Sequence, residues 1–108
     1  MLAEISITPL GTSAHLSRGL AEIVQVVDQS DLPFLVTPSG TCIEGTWDEV
    51  MPVIRRCHER ARTHSSHAVT MIQIEDEAGV SDKLTSNVTA IEDRLGHPLK
   101  RHVVVVSH

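Results

Sequence analysis

The chain changes its hydrophobic period in a set order, and that order limits the folds open to it. Ala3, Ile5 and Ile7 alternate with Glu4, Ser6 and Thr8, the pattern of a strand with one apolar and one polar face. Pro9-Leu10-Gly11 is expected to end it. Leu16, Leu20, Ile23, Val24 and Val27 then fall on one helical stripe, with Thr12 or Ser13 as the cap. Phe34 to Thr37 and Thr41 to Glu44 flank Pro38-Ser39-Gly40, so residues 34–45 read as a hairpin. Thr46 and Glu49 match a capping box for a second helix. Asp48 is the alternative cap, because it brings Pro52 closer to the first turn, where a missing N–H costs less. Trp47, Val50, Met51, Ile54, Cys57 and Ala61 form that helix's apolar stripe, with Trp47 expected to staple onto the sheet. Ala68 to Ile74 is apolar and β-branched, which predicts a well-covered strand. Ser81 or Asp82 caps a third helix carrying Leu84, Val88, Ile91 and Leu95, and Gly96 with Pro98 stops it. Val103 to Val106 predicts a short closing strand.

The first six elements run β-α-β-β-α-β. In an α+β chain this is the split βαβ arrangement of a ferredoxin-like sandwich, here with an added C-terminal helix and short strand. The 108 residues suffice for a single domain over 1–108. Helices are expected on one face of an antiparallel sheet, leaving the other open unless something packs on it. The chain has no cysteine cluster, so this fold implies no iron–sulfur centre.

Composition removes several function classes. Nine Lys and Arg stand against 14 Asp and Glu, a net charge of −5, which argues against binding a nucleic-acid backbone. Phe34 and Trp47 are the only aromatics, too few for base-stacking platforms. No apolar run approaches the roughly 20 residues of a membrane helix, so no membrane partner is expected. Met1 to Glu4 lacks a basic and then apolar leader, and Cys42 and Cys57 read as reduced thiols, so the expected location is cytoplasmic. Glu75, Asp76, Glu77 and Asp82 lack the alternate-ligand order of a calcium loop. The histidines, among them His58, His64, His67, His97, His102 and His108, form no zinc-binding spacing, so no metal site is assigned. There is no nucleophile elbow, phosphate loop or dinucleotide motif, and no activated-cysteine signature around Cys42. No catalytic residue is assigned, and the chain is not expected to be an enzyme.

One internal echo remains. Ile7-Thr8-Pro9-Leu10-Gly11-Thr12 and Val36-Thr37-Pro38-Ser39-Gly40-Thr41 share the form [Ile/Val]-Thr-Pro-x-Gly-Thr, and each closes a strand. One reading is turn chemistry used twice. The other is two hydroxyl-bearing corners facing a common ligand.

These segments resemble the two signature stretches of the small thiamine-binding family. Glu4 to Thr12 carries P-L-G-T, and Thr37 to Gly45 carries T-P-x-G-T-x-I-E-G. The resemblance runs over roughly residues 2–95 and includes the order of elements. Family members tend to follow the fourth strand with a D-D-R stretch; here Asp76-Glu77-Ala78 stands in its place, without the arginine. The resemblance implies a ferredoxin-like protomer, homo-oligomers (dimer or tetramer) formed through the sheets, and binding of thiamine or a related aminopyrimidine without catalysis. Thiamine would be a bound ligand, and no cofactor is expected. A site for it needs a carboxylate near the thiazolium cation, hydrogen-bond partners for the pyrimidine and apolar walls. The expected ligand-binding residues are Glu4 and Glu44 for charge, Thr8, Thr37 and Thr41 for hydroxyls, and Gly11 and Gly40 for close backbone approach. The alternative is a structural or regulatory oligomerisation domain without a physiological small ligand. The valine tail favours association, because a bare apolar edge strand is an aggregation hazard.

Overall fold

The computed structural model describes residues 1–11, 16–98, 105 and 106. β1 (Leu2–Leu10), α1 (Leu16–Gln29), β2 (Phe34–Thr37), β3 (Gly40–Glu44), α2 (Trp47–Arg62) and β4 (His67–Glu75) form the βαββαβ unit. α3 (Lys83–Leu95) and β5 (Val105–Val106) follow. The strands lie in the order β4-β1-β3-β2-β5 with antiparallel neighbours throughout. The first four have the ferredoxin-like order, as the periodicity predicts. The expected caps Thr12 and Ser13 lie outside the described residues, as do Val103 and Val104 of the predicted tail strand.

The core lies between the sheet and α1 and α2. Ala3, Ile5 and Ile7 of β1, Ile43 of β3 and Phe34 of β2 face Ile23, Val26 and Val27 of α1 and Val50, Val53, Ile54, Cys57 and Ala61 of α2. The period-two pattern of β1 thus delivers its apolar face to the helices. α2 starts at Thr46: its side chain accepts from the Glu49 N–H, and the Glu49 carboxylate accepts from the Thr46 N–H. This capping box outweighs Pro52, which stays inside the helix on its exposed side. α2 is tied to β4 where His58 Nδ1 meets Thr70 Oγ1 at 2.6 Å.

α3 lies on the opposite face. Glu44 projects to that side from β3, and its Oε2 accepts from the Leu84 N–H at 3.1 Å. Asp82, the N-terminal residue flanking α3, makes no side-chain cap bond, so a distant carboxylate serves a donor that a local cap would otherwise take. Asn87 donates to Glu75, and Lys83 pairs with Glu77.

Three local expectations differ from the structure. β1 continues through Pro9 to Leu10. Met1 and Leu10 explain why: the Met1 carbonyl accepts from Gly45 on the β3 side, and the Leu10 carbonyl accepts from Ser65 on the β4 side. Odd-numbered residues therefore turn their backbone groups toward β3, and β3 begins only opposite Ile5. Pro9 lacks its N–H on a side where no strand lies among the described residues. β4 is an edge strand rather than a covered one, and Val69, Met71, Ile72 and Ile74 are each more than a third exposed. Trp47 does not staple onto the sheet. As the first residue of α2 it points outward and is 56% exposed.

Candidate functional site

β1 is five residues longer than its pairing with β3, and that mismatch makes a cavity. The β3 register ends at Thr41 opposite Ile5, while β1 runs on to Leu10 beside β4. Past the end of β3 the β2–β3 hairpin tip, the second half of β1 and α1 enclose about 280 Å³. Ser6, Thr8, Thr37, Ser39 and Thr41 give the cavity hydroxyls, and Ile7, Leu20, Ile23 and Val36 give it apolar walls. Among the described residues no charged side chain lines it.

Gly40 lets the hairpin tip lie this close. A Cβ there would sit 2.5 Å from the Ile5 carbonyl oxygen and 3.6 Å from Cγ of Glu4. Thr37 holds the turn, since its hydroxyl donates to the Gly40 carbonyl at 2.9 Å and accepts from the Gly40 N–H at 3.2 Å. Thr41 is buried, whereas Thr8 is exposed at the cavity's margin.

Glu4 connects this cavity to a second cleft on the face shared with α3. That cleft, of about 180 Å³, is lined by Leu2, Glu4, Cys42, Gln73, Glu75 and Asn87. Cys42 Sγ lies 3.9 Å from Glu4 Oε2. Burial, the Glu4 charge and this contact all push the Cys42 thiol above its ordinary value. Cys57, buried beneath α1, is pushed up to about 11, chiefly by burial. Glu4→Gln removes the charge and so lowers the Cys42 value. Alkylation of Cys42 at pH 8 is expected to speed up several-fold in this variant, because the thiolate is the nucleophile. Cys57 should stay unreactive until the protein unfolds. Peptide mapping after iodoacetamide treatment reads both, and an unchanged Cys42 rate would show that the Glu4 carboxylate does not act on it.

Thr8, Thr37, Gly40 and Thr41, four of the seven expected residues, line the first cavity, and Glu4 touches its boundary at Gly40. Gly11 lies beyond the end of β1 with φ +78°, the turn conformation glycine suits, and does not line the cavity. Glu44 is 8% exposed on the face shared with Glu4, with one carboxylate oxygen committed to α3. Sequence reasoning missed Ser6, which alternates with Thr8, and Ser39 at the hairpin tip. It also missed Gln73, Glu75 and Asn87, which no local pattern links to Glu4. Among the described residues no three His, Cys, Asp or Glu side chains stand close enough to hold a metal ion. No described helix is long and apolar enough to cross a membrane.

Comparison with known proteins adds relatives to this geometry. A family model described as "Thiamine-binding protein" matches residues 3–92. A UPF0045 protein of Mycobacterium tuberculosis is 33% identical over 99 residues, covering 91% of this chain and 97% of that one. A crystal structure of a hypothetical protein from Methanocaldococcus jannaschii superposes with a TM-score of 0.78 at 25% identity, covering 85% of this chain and 95% of the other. A Thermotoga maritima protein, named for a suggested part in thiamine biosynthesis or salvage, gives 0.72 at 18% identity, covering 83% and 96%.

Proposed function

Because the chain belongs to the thiamine-binding protein family, we propose that it binds thiamine or a related aminopyrimidine in the hydroxyl-lined cavity, as a homo-oligomer and without catalysis. The carrying observation is that Thr8 of the first Thr-Pro stretch and Thr37 to Thr41 of the second line one space, with no charged side chain among the described residues that line it. An aminopyrimidine is neutral, flat and rich in hydrogen-bonding edges. Hydroxyls between apolar walls suit it, and the volume is close to the lower end of small-molecule sites, about 300 Å³. The thiazolium of thiamine is a cation and belongs with a carboxylate. Glu4 supplies one at Gly40, on the side of the acidic cleft. Gly11 follows the end of β1 and does not line the cavity, and Glu44 holds α3 on the face it shares with Glu4. The name of the Thermotoga maritima neighbour agrees with this ligand class.

Association follows from the edges. The valine tail does not leave one bare, since Val105 and Val106 pair with Leu35 and Phe34 of the same chain. β4 is the exposed edge, nine residues long and apolar on both faces. Such an edge is satisfied by a second β4 running antiparallel to it across a two-fold axis.

Calorimetric titration with thiamine tests the ligand reading. The expected result is saturable heat with a dissociation constant of about 1 μM to 100 μM. Thr41→Val keeps the cavity's shape and removes one buried hydroxyl, so it should weaken binding roughly tenfold. Absence of heat at millimolar thiamine, with no rise in melting temperature, contradicts the proposal.

A further inference from the structure

The cavity wall contains a stretch of β1 that is paired with β4 on one side and, among the described residues, has no partner strand on the other. Odd-numbered residues of β1 aim their N–H and C=O groups toward β3: Met1 accepts from Gly45 there, and the Ile5 oxygen lies against Gly40. Ile7 has the same parity, and β3 ends before reaching it. Among the described residues no strand lies opposite Ile7 on that side, and Ile7 lines the cavity. Pro9, next along the same edge, has no N–H to offer. Among the described residues, Ile7 therefore presents the one backbone donor of that stretch with no strand opposite, beside its own carbonyl.

We propose that the paired N–H and C=O of Ile7 form the specificity element of the cavity, reading the acceptor–donor edge of a 4-aminopyrimidine. This rests on the cavity reading above and deepens it. A ring nitrogen next to an exocyclic amino group offers an acceptor beside a donor, the complement of one extended residue's N–H and C=O. The hydroxyls of Ser6, Thr8, Ser39 and Thr41 cannot make this distinction, because each rotates to donate or accept as required. Thr37 already spends its hydroxyl on the hairpin turn. The backbone pair cannot invert. A ligand whose edge is reversed meets donor with donor and acceptor with acceptor, and a site built around a fixed pattern rejects it.

The probe is the 4-oxo analogue of thiamine, in which a carbonyl replaces the amino group and the adjacent ring nitrogen carries hydrogen. Thiamine and this analogue have nearly the same size and the same thiazolium. Calorimetry on the intact wild-type protein is expected to show the analogue binding at least about 100-fold more weakly. In the thiamine complex the Ile7 amide should show a large ¹⁵N–¹H shift and slowed hydrogen exchange. Equal affinities within about threefold would overturn the inference while leaving the cavity reading intact, since rotating hydroxyls would then carry recognition. An unperturbed Ile7 amide in a saturated complex would overturn it as well. Failure of thiamine itself to bind would overturn both.

Discussion

Gly40→Val is expected to abolish ligand binding and to lower the melting temperature by roughly 10 °C or more. The added Cβ would lie 2.5 Å from the carbonyl oxygen of Ile5, a backbone atom inside the β1–β3 ladder. Neither side can yield cheaply. Moving β3 outward breaks the register that sets Ile43 and Ala3 into the core, and moving Ile5 disturbs its neighbours under α1. Overpacking of this kind costs about 2–3 kcal/mol. The same displacement pulls Ser39 and Thr41 away from Ser6 and Thr8, so the cavity opens and loses its far wall. Thermal melting and thiamine titration below the new melting temperature check the two effects separately. A variant that melts like the wild type and binds normally would show that the hairpin tip has freedom the structure denies it.

If two chains pair through β4 as proposed, Met71→Lys is expected to leave a single chain of 11.8 kDa without unfolding it. Met71 is the middle residue of β4 and is 69% exposed, so the substitution does little to the protomer itself. In an antiparallel pairing of two β4 strands about a two-fold axis, the middle residue stands opposite its own copy. The lysine then places two ammonium groups across the axis, and like charges directly opposite destabilise a strand pair. Light scattering on wild type and variant gives the mass directly. A wild-type monomer, or a variant that stays oligomeric, would rule out the β4 edge as the contact.

Much of this architecture is written in local pattern. The alternation of β1, the α1 stripe, the hairpin around Pro38 and the capping box at Thr46 each depend on residues a few positions apart, and each appears where the periodicity places it. The misplaced features depend on distant partners. Pro9 is tolerated because of which neighbour β1 lacks on one side, a property of the sheet rather than of the tripeptide. β4 is apolar enough for a covered strand, yet it lies at the sheet's edge, and α2 meets it at Ala68 and Thr70, leaving Ile72 and Ile74 more than a third exposed. Trp47 shares the α2 stripe by spacing, but the helix begins at the sheet's end, so the first residue overhangs it. Glu44 shows the limit most plainly. A carboxylate in a strand suggests solvent or a ligand, and its partner, the N–H of Leu84, lies 40 residues away.

The candidate site divides in the same way. Thr8, Thr37, Gly40 and Thr41 are legible because the Thr-Pro-x-Gly-Thr form repeats: the first lies in the second half of β1, and the second forms the β2–β3 hairpin tip, whose β3 arm is the neighbour of β1. The cavity itself was not legible. It exists because β1 outruns β3 past the hairpin tip, and the backbone edge this exposes at Ile7 carries no sequence signature at all.

The most direct measurement is a crystal structure of the protein with thiamine bound. The aminopyrimidine is expected between the hairpin tip and β1, in contact with Thr41 and with the backbone of Ile7, and the thiazolium beside Glu4. A pyrimidine ring seated instead among Gln73, Glu75 and Asn87, with the space beyond β3 filled by water, would contradict it.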